Sequence, residues 1–187
     1  KVALVFIHGI FGDTRGTWTH ASGSSMFQLL KTAPQVGPNV DVFAFGFTSK
    51  MFGTGSLDIR EAANKLHESL EFKQVLSYPA IVFVGHSMGG LIALRYLISQ
   101  PEVAARTPLV VLYAAPQQGA QIAALADRLA RNNALVQMFP ADQNGYLQQL
   151  SDDWGRVAKR PVVACGYETK PTYESVVVVP WSSATRF

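Results

Sequence analysis

Short apolar runs alternate along this chain with longer segments whose apolar residues recur every three or four positions. That alternation predicts a parallel sheet carrying helices on both faces, the α/β class. The runs are Val2 to Ile7, Val40 to Phe45, Ala80 to Gly85, Pro108 to Ala114, Pro161 to Tyr167 and Ser175 to Pro180. All are rich in β-branched residues and continuously apolar, so each is expected to be buried on both faces. Between them, helices are predicted over Ser24 to Ala33, Leu57 to Phe72, Met88 to Ser99, Ala120 to Arg131 and Asn144 to Ala158. The second has apolar positions at Ile59, Ala62, Ala63, Leu66 and Leu70, with Ser56 as the expected N-cap and Asp58 and Glu61 early, where the helix dipole favours acids. The third carries Leu91, Leu94 and Ile98 on one face. Residues Thr48 to Gly55 and Asn132 to Asn144 read as connections. No internal repeat or domain boundary interrupts the pattern.

Composition narrows the class. With 187 residues, 48% of them hydrophobic, the chain suits one domain with a substantial core. Charged residues are 16%, too apolar a balance for a disordered chain. No apolar run is long enough for a membrane-spanning helix. The net charge of +3 is spread over scattered lysines and arginines, without the dense basic stripe of a nucleic-acid surface. Cys165 is the single cysteine, which excludes an internal disulfide, and no cysteine–histidine spacing suggests zinc. In the run VVAC it reads as a small buried thiol. A lone cysteine is compatible with a reducing, cytoplasmic setting without requiring one.

The candidate chemistry lies in GHSMGG, Gly85 to Gly90, directly after one predicted strand and directly before a helix. A serine on such a corner is held in a strained conformation. Glycines two residues to either side, Gly85 and Gly89, remove side chains that would strike the crossing strand and helix. Ser87 is thus the candidate nucleophile, at a helix N-terminus where free N–H groups favour negative charge. The alternative is a turn with a helix-capping serine. His86 is adjacent on the turn, points elsewhere, and is poorly placed to act as base. Acyl transfer also needs donors for the developing oxyanion. The amide of Met88 supplies one. HGIFGD, His8 to Asp13, follows the first strand, and its glycines let the backbone turn the amide of Ile10 toward the substrate as the second.

The pair FIHGIFG and VGHSMGG resembles α/β-hydrolases, in particular small bacterial lipases and serine esterases. GDTRGTW, AAPQQGA and the late CGYETKPTYESVVVVPWSSA are similar to segments of lipase-like hydrolases, including lipid-remodelling and inositol-deacylase-like proteins. One departure is Gln118, where relatives often have histidine. The resemblance implies an α/β-hydrolase fold and a triad in the order Ser, acid, His, with no metal or organic cofactor. Glu168, after the strand Pro161 to Tyr167, is the expected acid. Asp152 and Asp153 come next, and Asp142 last. None of the four histidines, His8, His20, His67 and His86, follows Ser87. His8 reads as support for the oxyanion loop, and His67 as a solvated helix residue. His20 lies in a loop that could approach a pocket. The expectation is a single domain over 1–187 that lacks the histidine loop and closing helix, with the natural chain continuing past Phe187. The implied activity is cleavage of a small-molecule carboxylic ester, lipid and acyl esters among the candidates, through an acyl-enzyme. A non-catalytic binding module and an acyltransferase are the alternatives. Ile10, Phe11, Met88, Met138 and Phe139 are expected near the mouth of the site.

Overall fold

The computed structural model describes residues 1–47, 58–118, 137–138, 145–167, 169, 179 and 181–185. Its sheet is built from β1 (Val2–Ile7), β2 (Val40–Phe45), β3 (Ala80–His86), β4 (Leu109–Tyr113) and β5 (Val162–Gly166). The order is β2-β1-β3-β4-β5, and every pairing is parallel. β1 and β2 keep the predicted ends, because β-branched and aromatic runs stop there against turn-forming sequence. The helix α1 (Met26–Thr32) joins β1 to β2. The helices α2 (Ile59–Phe72), α3 (Met88–Ser99), the short α4 (Pro101–Ala104) and α5 (Tyr146–Gly155) follow, with a turn of helix, α6 (Trp181–Ala184), near the end. The predicted helix Ala120 to Arg131 lies outside the described residues, as does the strand Ser175 to Pro180 apart from Val179.

Strand alternation divides the core in two. Val5, Ile7, Ile81, Phe83, Val110 and Leu112 face α2 and α3 in the larger cluster. Phe6 and Val84, with Leu4, Val82 and Val111 beside them, face α1 and Trp18 in the smaller. The Phe6 ring meets Trp18 and Phe27 edge-on, at 4.9 and 5.0 Å. α3 is buried around almost its whole circumference, from Met88 through Leu97 with Arg95 the exception, rather than along a single stripe. Its position between the sheet, α2 and α5 explains why its sequence is apolar on all sides.

Three expectations change. The N-cap of α2 is Asp58, not Ser56. Asp58 accepts from the Glu61 N–H at 2.8 Å while the Glu61 carboxylate accepts from the Asp58 N–H at 3.1 Å, a reciprocal capping box. β5 is not covered on both faces: Val162 is 68% exposed, because among the described residues no helix packs over β5 on the α1 side. Cys165, expected to be buried, is half-buried on the other face, against the larger cluster, with the Gln117 amide 3.6 Å from its sulfur.

Candidate active site

The strand order makes the crevice. From β1 the chain passes through α1 on one face to reach β2, then returns through α2 on the other face to β3, on the opposite side of β1. The segments leaving the carboxyl ends of β1 and β3 therefore diverge, and such a switch point is where open parallel sheets bind ligands. Ser87 follows β3 and the His8–Gly12 loop follows β1, so both lie at this point.

Ser87 is half-buried at the corner between β3 and α3, with φ 52° and ψ −125°. An L-residue holds that conformation at a cost on the order of 1–3 kcal/mol, so the surroundings must enforce it. They do so through hydrogen bonds on both sides: the Ser87 N–H donates to the Tyr113 carbonyl at 2.8 Å, and the Ser87 carbonyl accepts from the Gly90 N–H at 3.0 Å. The Ser87 hydroxyl makes no capping bond to α3, which removes the capping-serine alternative. Of the first-turn amides of α3, that of Gly90 is taken by the Ser87 carbonyl, while that of Met88 has no intrahelical partner. Met88 itself is buried, its side chain in the larger core cluster.

Close approach accounts for the glycines. A side chain on Gly89 would run into the carbonyls of Ile7 and His8, and one on Gly85 into the Gly90 backbone. A third glycine matters as much: a Cβ on Gly9 would sit 2.7 Å from the Ser87 Cβ. The loop after β1 therefore touches the serine corner directly. That loop is a tight turn, closed by the Gly12 N–H on the Gly9 carbonyl at 3.1 Å, with Phe11 at φ 62°. Asp13 braces its far side by accepting from the N–H groups of Arg15 and Gly16, both at 2.7 Å. Those bonds, the one from Gly16 first, hold the Asp13 carboxyl below the usual carboxylate range, because they favour its charged form. Ile10 is half-buried against the core, and among the described residues its N–H meets no acceptor. Phe11, Ser87 and Ala114 are three of the four non-glycine residues with positive φ among those described, and all follow the carboxyl end of a strand.

Other expected site residues are placed as follows. Glu168, Asp142 and Phe139 lie outside the described residues. Asp153 pairs with Arg95 at 3.0 Å and Arg156 at 3.3 Å, which ties α5 to α3. Arg95 is eight residues, about 12 Å of helix, from Ser87, so Asp153 is engaged away from the corner. Asp152 accepts from Gln148. His86 alternates with Val82 and Val84 onto the α1 side, its ring edge-on to Trp18 at 6.4 Å. His20 is exposed and bonded to Ser22. His67 is not simply solvated: it lies half-buried, 3.3 Å from the Tyr96 hydroxyl on α3. Among the described apolar residues expected at the mouth, Met88 and Met138 belong to the core, Ile10 is half-buried and Phe11 is 42% exposed. A cleft of about 500 Å³ adjoins the corner on its α1 side, lined by Trp18, His20, Met26, Leu29, His86 and Tyr113 among others. Gln117 escaped notice in the sequence. It is buried, donates to the Ala184 carbonyl at 2.6 Å and, through its N–H, to the Ser183 carbonyl at 3.0 Å, fastening α6 to the segment after β4. A run of two glutamines carries no signal of such a long-range contact.

The family model described as "Alpha/beta hydrolase family" matches residues 4–185. This chain belongs to that family. Its sequence is 29% identical, over 120 residues, to 1-acylglycerol-3-phosphate O-acyltransferase ABHD5 of Sus scrofa, a match covering 63% of this chain and 32% of that protein. The fold is similar to the mature lipase BlEst2 of Bacillus licheniformis, with a TM-score of 0.55 and 20% identity, covering 86% of this chain and 63% of that one. It is also similar to phospholipase PlaB of Legionella pneumophila, with a TM-score of 0.66 and 14% identity, covering 87% and 38%. The matched part of this chain thus spans about a third of the curated relative. Among the described residues, no helix is long and apolar enough to cross a membrane.

Proposed function

We propose that this hydrolase-family chain carries the nucleophile and oxyanion donors of a serine hydrolase that cleaves carboxylic esters. The observation that carries the reading is the strained Ser87 corner, its hydroxyl unused by the helix it starts, in contact with a loop whose Ile10 amide meets no acceptor among the described residues. In this reading the Ser87 Oγ attacks the ester carbonyl carbon while a base takes its proton, and the carbonyl oxygen becomes an oxyanion held by the N–H groups of Ile10 and Met88. The tetrahedral species collapses, the C–O bond to the alcohol breaks, and the alkoxide leaves with the proton from the base. Water repeats the sequence on the acyl-enzyme and releases the acid. The N-terminus of α3 adds favourable potential at the oxyanion.

The base belongs to none of the four histidines. His8 has both ring nitrogens committed, at 2.7 Å to the Gly9 carbonyl and 3.3 Å to the Phe47 N–H, His67 is on α2 beside Tyr96, and His86 lies on the α1 side. His20 is exposed in the loop bordering the cleft, before Ser87 in the chain. We assign the base to a histidine outside these four, oriented by Glu168. The test is labelling of the natural full-length protein by a fluorophosphonate. Ser87→Ala is expected to abolish it with the fold intact, and undiminished labelling of that variant would overturn the assignment. Glu168→Gln is expected to lower turnover of a p-nitrophenyl ester by orders of magnitude; wild-type turnover would remove Glu168 as the acid. The match to a protein named as an acyltransferase supports a second reading, in which an alcohol replaces water in the last step. Product analysis with added alcohols separates the two, since transfer gives a new ester in place of free acid.

A further inference from the structure

Two exposed apolar residues belong to neither core cluster. On α1, Met26, Phe27 and Leu30 pack against the sheet, while Leu29 lies off that stripe and is 62% exposed. Tyr113, the last residue of β4, is 38% exposed. Both line the cleft of about 500 Å³ on the α1 side, together with Trp18, Met26 and His86. His86 and Tyr113 are register partners at the carboxyl ends of β3 and β4. They bring the cleft to the nucleophile: His86 precedes Ser87 in the chain, and the Tyr113 carbonyl accepts from the Ser87 N–H at 2.8 Å.

The chemistry of the lining is one-sided. Among the described residues, no Asp, Glu, Lys or Arg lines the cleft. Its serine and threonine hydroxyls are engaged within their own loop. Thr17 Oγ1 accepts from the Asp13 N–H at 3.2 Å, the Thr19 hydroxyl donates to the Arg15 carbonyl at 2.9 Å, and Ser24 Oγ accepts from Ser22 at 3.2 Å. The His20 Nδ1 is likewise taken, by the Ser22 N–H at 3.1 Å. A charged group entering here would lose water and meet no counter-charge, whereas hydrocarbon gains by leaving water. We infer that this cleft receives the acyl chain of the ester as an uncharged, apolar group, with Leu29 and Tyr113 setting its preference. The inference rests on the serine reading, since attachment to the Ser87 Oγ places the chain. The alcohol departs after the first step, but the acyl group stays on Ser87 through both. A surface that begins beside Ser87 therefore serves the acyl group throughout.

The test is the acyl-chain series of p-nitrophenyl esters with the natural full-length protein. Its kcat/KM is expected to rise about fourfold for each added methylene until the cleft is filled. Leu29→Asp puts a charge at an exposed helix position, and is expected to lower the octanoate-to-acetate ratio of kcat/KM about tenfold. Leu29→Trp keeps the wall apolar and narrows the cleft, so the best substrate is expected to move to a shorter chain. Phe72→Asp, on the exposed last residue of α2 and outside the cleft, is the control and should leave the ratio alone. A ratio unchanged in Leu29→Asp, or lowered equally by Phe72→Asp, would overturn the assignment. So would a loss confined to acetates of longer alcohols, because the cleft would then hold the leaving group. Cleavage that survives Ser87→Ala removes the serine reading. Cleavage lost in that variant, beside a flat acyl series in the wild type, removes only the role of the cleft.

Discussion

The two ends of the sheet are bonded in opposite ways. At the amino ends of the strands, polar groups find one another. The Lys1 ammonium lies 2.7 Å from Asp41, the Tyr78 hydroxyl donates to the same carboxylate at 2.8 Å, and Arg106 donates to the Tyr78 carbonyl. The hydrogen bond from Lys1 and then that from Tyr78 hold the Asp41 carboxyl below its ordinary range, and the same contact raises the Lys1 ammonium, each partner favouring the charged form of the other. At the carboxyl ends, Phe11, Ser87 and Ala114 hold positive φ, the Ile10 amide meets no acceptor among the described residues, and a cleft opens beside them. One end is bonded as stability alone would require. The other keeps strained backbone and unmet donors in place because buried strands beneath and close-packed glycines beside it leave no relaxed alternative. Of the four described non-glycine residues with positive φ only Gln74 lies elsewhere, and the carboxyl end is where open parallel sheets bind ligands.

The largest effect should come from removing the close approach that enforces the strain. The side chain of Gly89→Val would meet fixed backbone rather than mobile side chains. It is expected to destabilise the protein by about 3 kcal/mol or more. Urea unfolding measures this, and a midpoint near wild type would mean that the β1 loop yields and the corner is not rigid. Next in size, Ser87→Gly tests whether the corner is strained at all, since glycine adopts positive φ freely. Relief of the strain is expected to raise stability by about 1 kcal/mol after the entropy cost of glycine, while the hydroxyl is lost. A lower melting temperature would refute stored strain. A cap on the side away from the crevice should behave conventionally. Asp58→Ala removes the capping box of α2 and is expected to cost about 1 kcal/mol in the same unfolding measurement. The smallest effect belongs to the solvent-facing amino-end cluster, where Asp41 is half-buried. Asp41→Asn should weaken the protein slightly at neutral pH. The folded-state carboxyl titrates below its unfolded value. Its contribution is therefore present above the unfolded value and disappears as pH falls through the folded one. Stability curves of variant and wild type should converge in acid; a difference that persists there would trace to packing instead.

Much of the fold and of the serine corner was legible in the chain itself. β2 and α3 begin and end where apolar runs meet Gly, Ser or Asn, since element termini depend on local backbone chemistry. The corner was legible for the same reason: strand, two glycines and helix lie within a few residues. What escaped was non-local. Ser56 and Asp58 are both good caps, and only the geometry of Glu61 selected Asp58. Val162 belongs to a run as apolar as β1, yet its exposure depends on what packs over β5. His67 has polar neighbours in sequence and Tyr96 as its partner in space.

From residues alone came the class of fold, the order of its elements, the serine at a turn and the glycine loop expected to face it. Those features depend on contacts between near neighbours and on the alternation of apolar positions. Folding decided which loop touches which: Gly9 against Ser87, His8 between Gly9 and Phe47, Gln117 under Ala184, and Asp153 drawn to Arg95 away from the crevice. The reason is that strand order, not sequence separation, sets those distances, and strand order emerges only when every apolar face has found its cover.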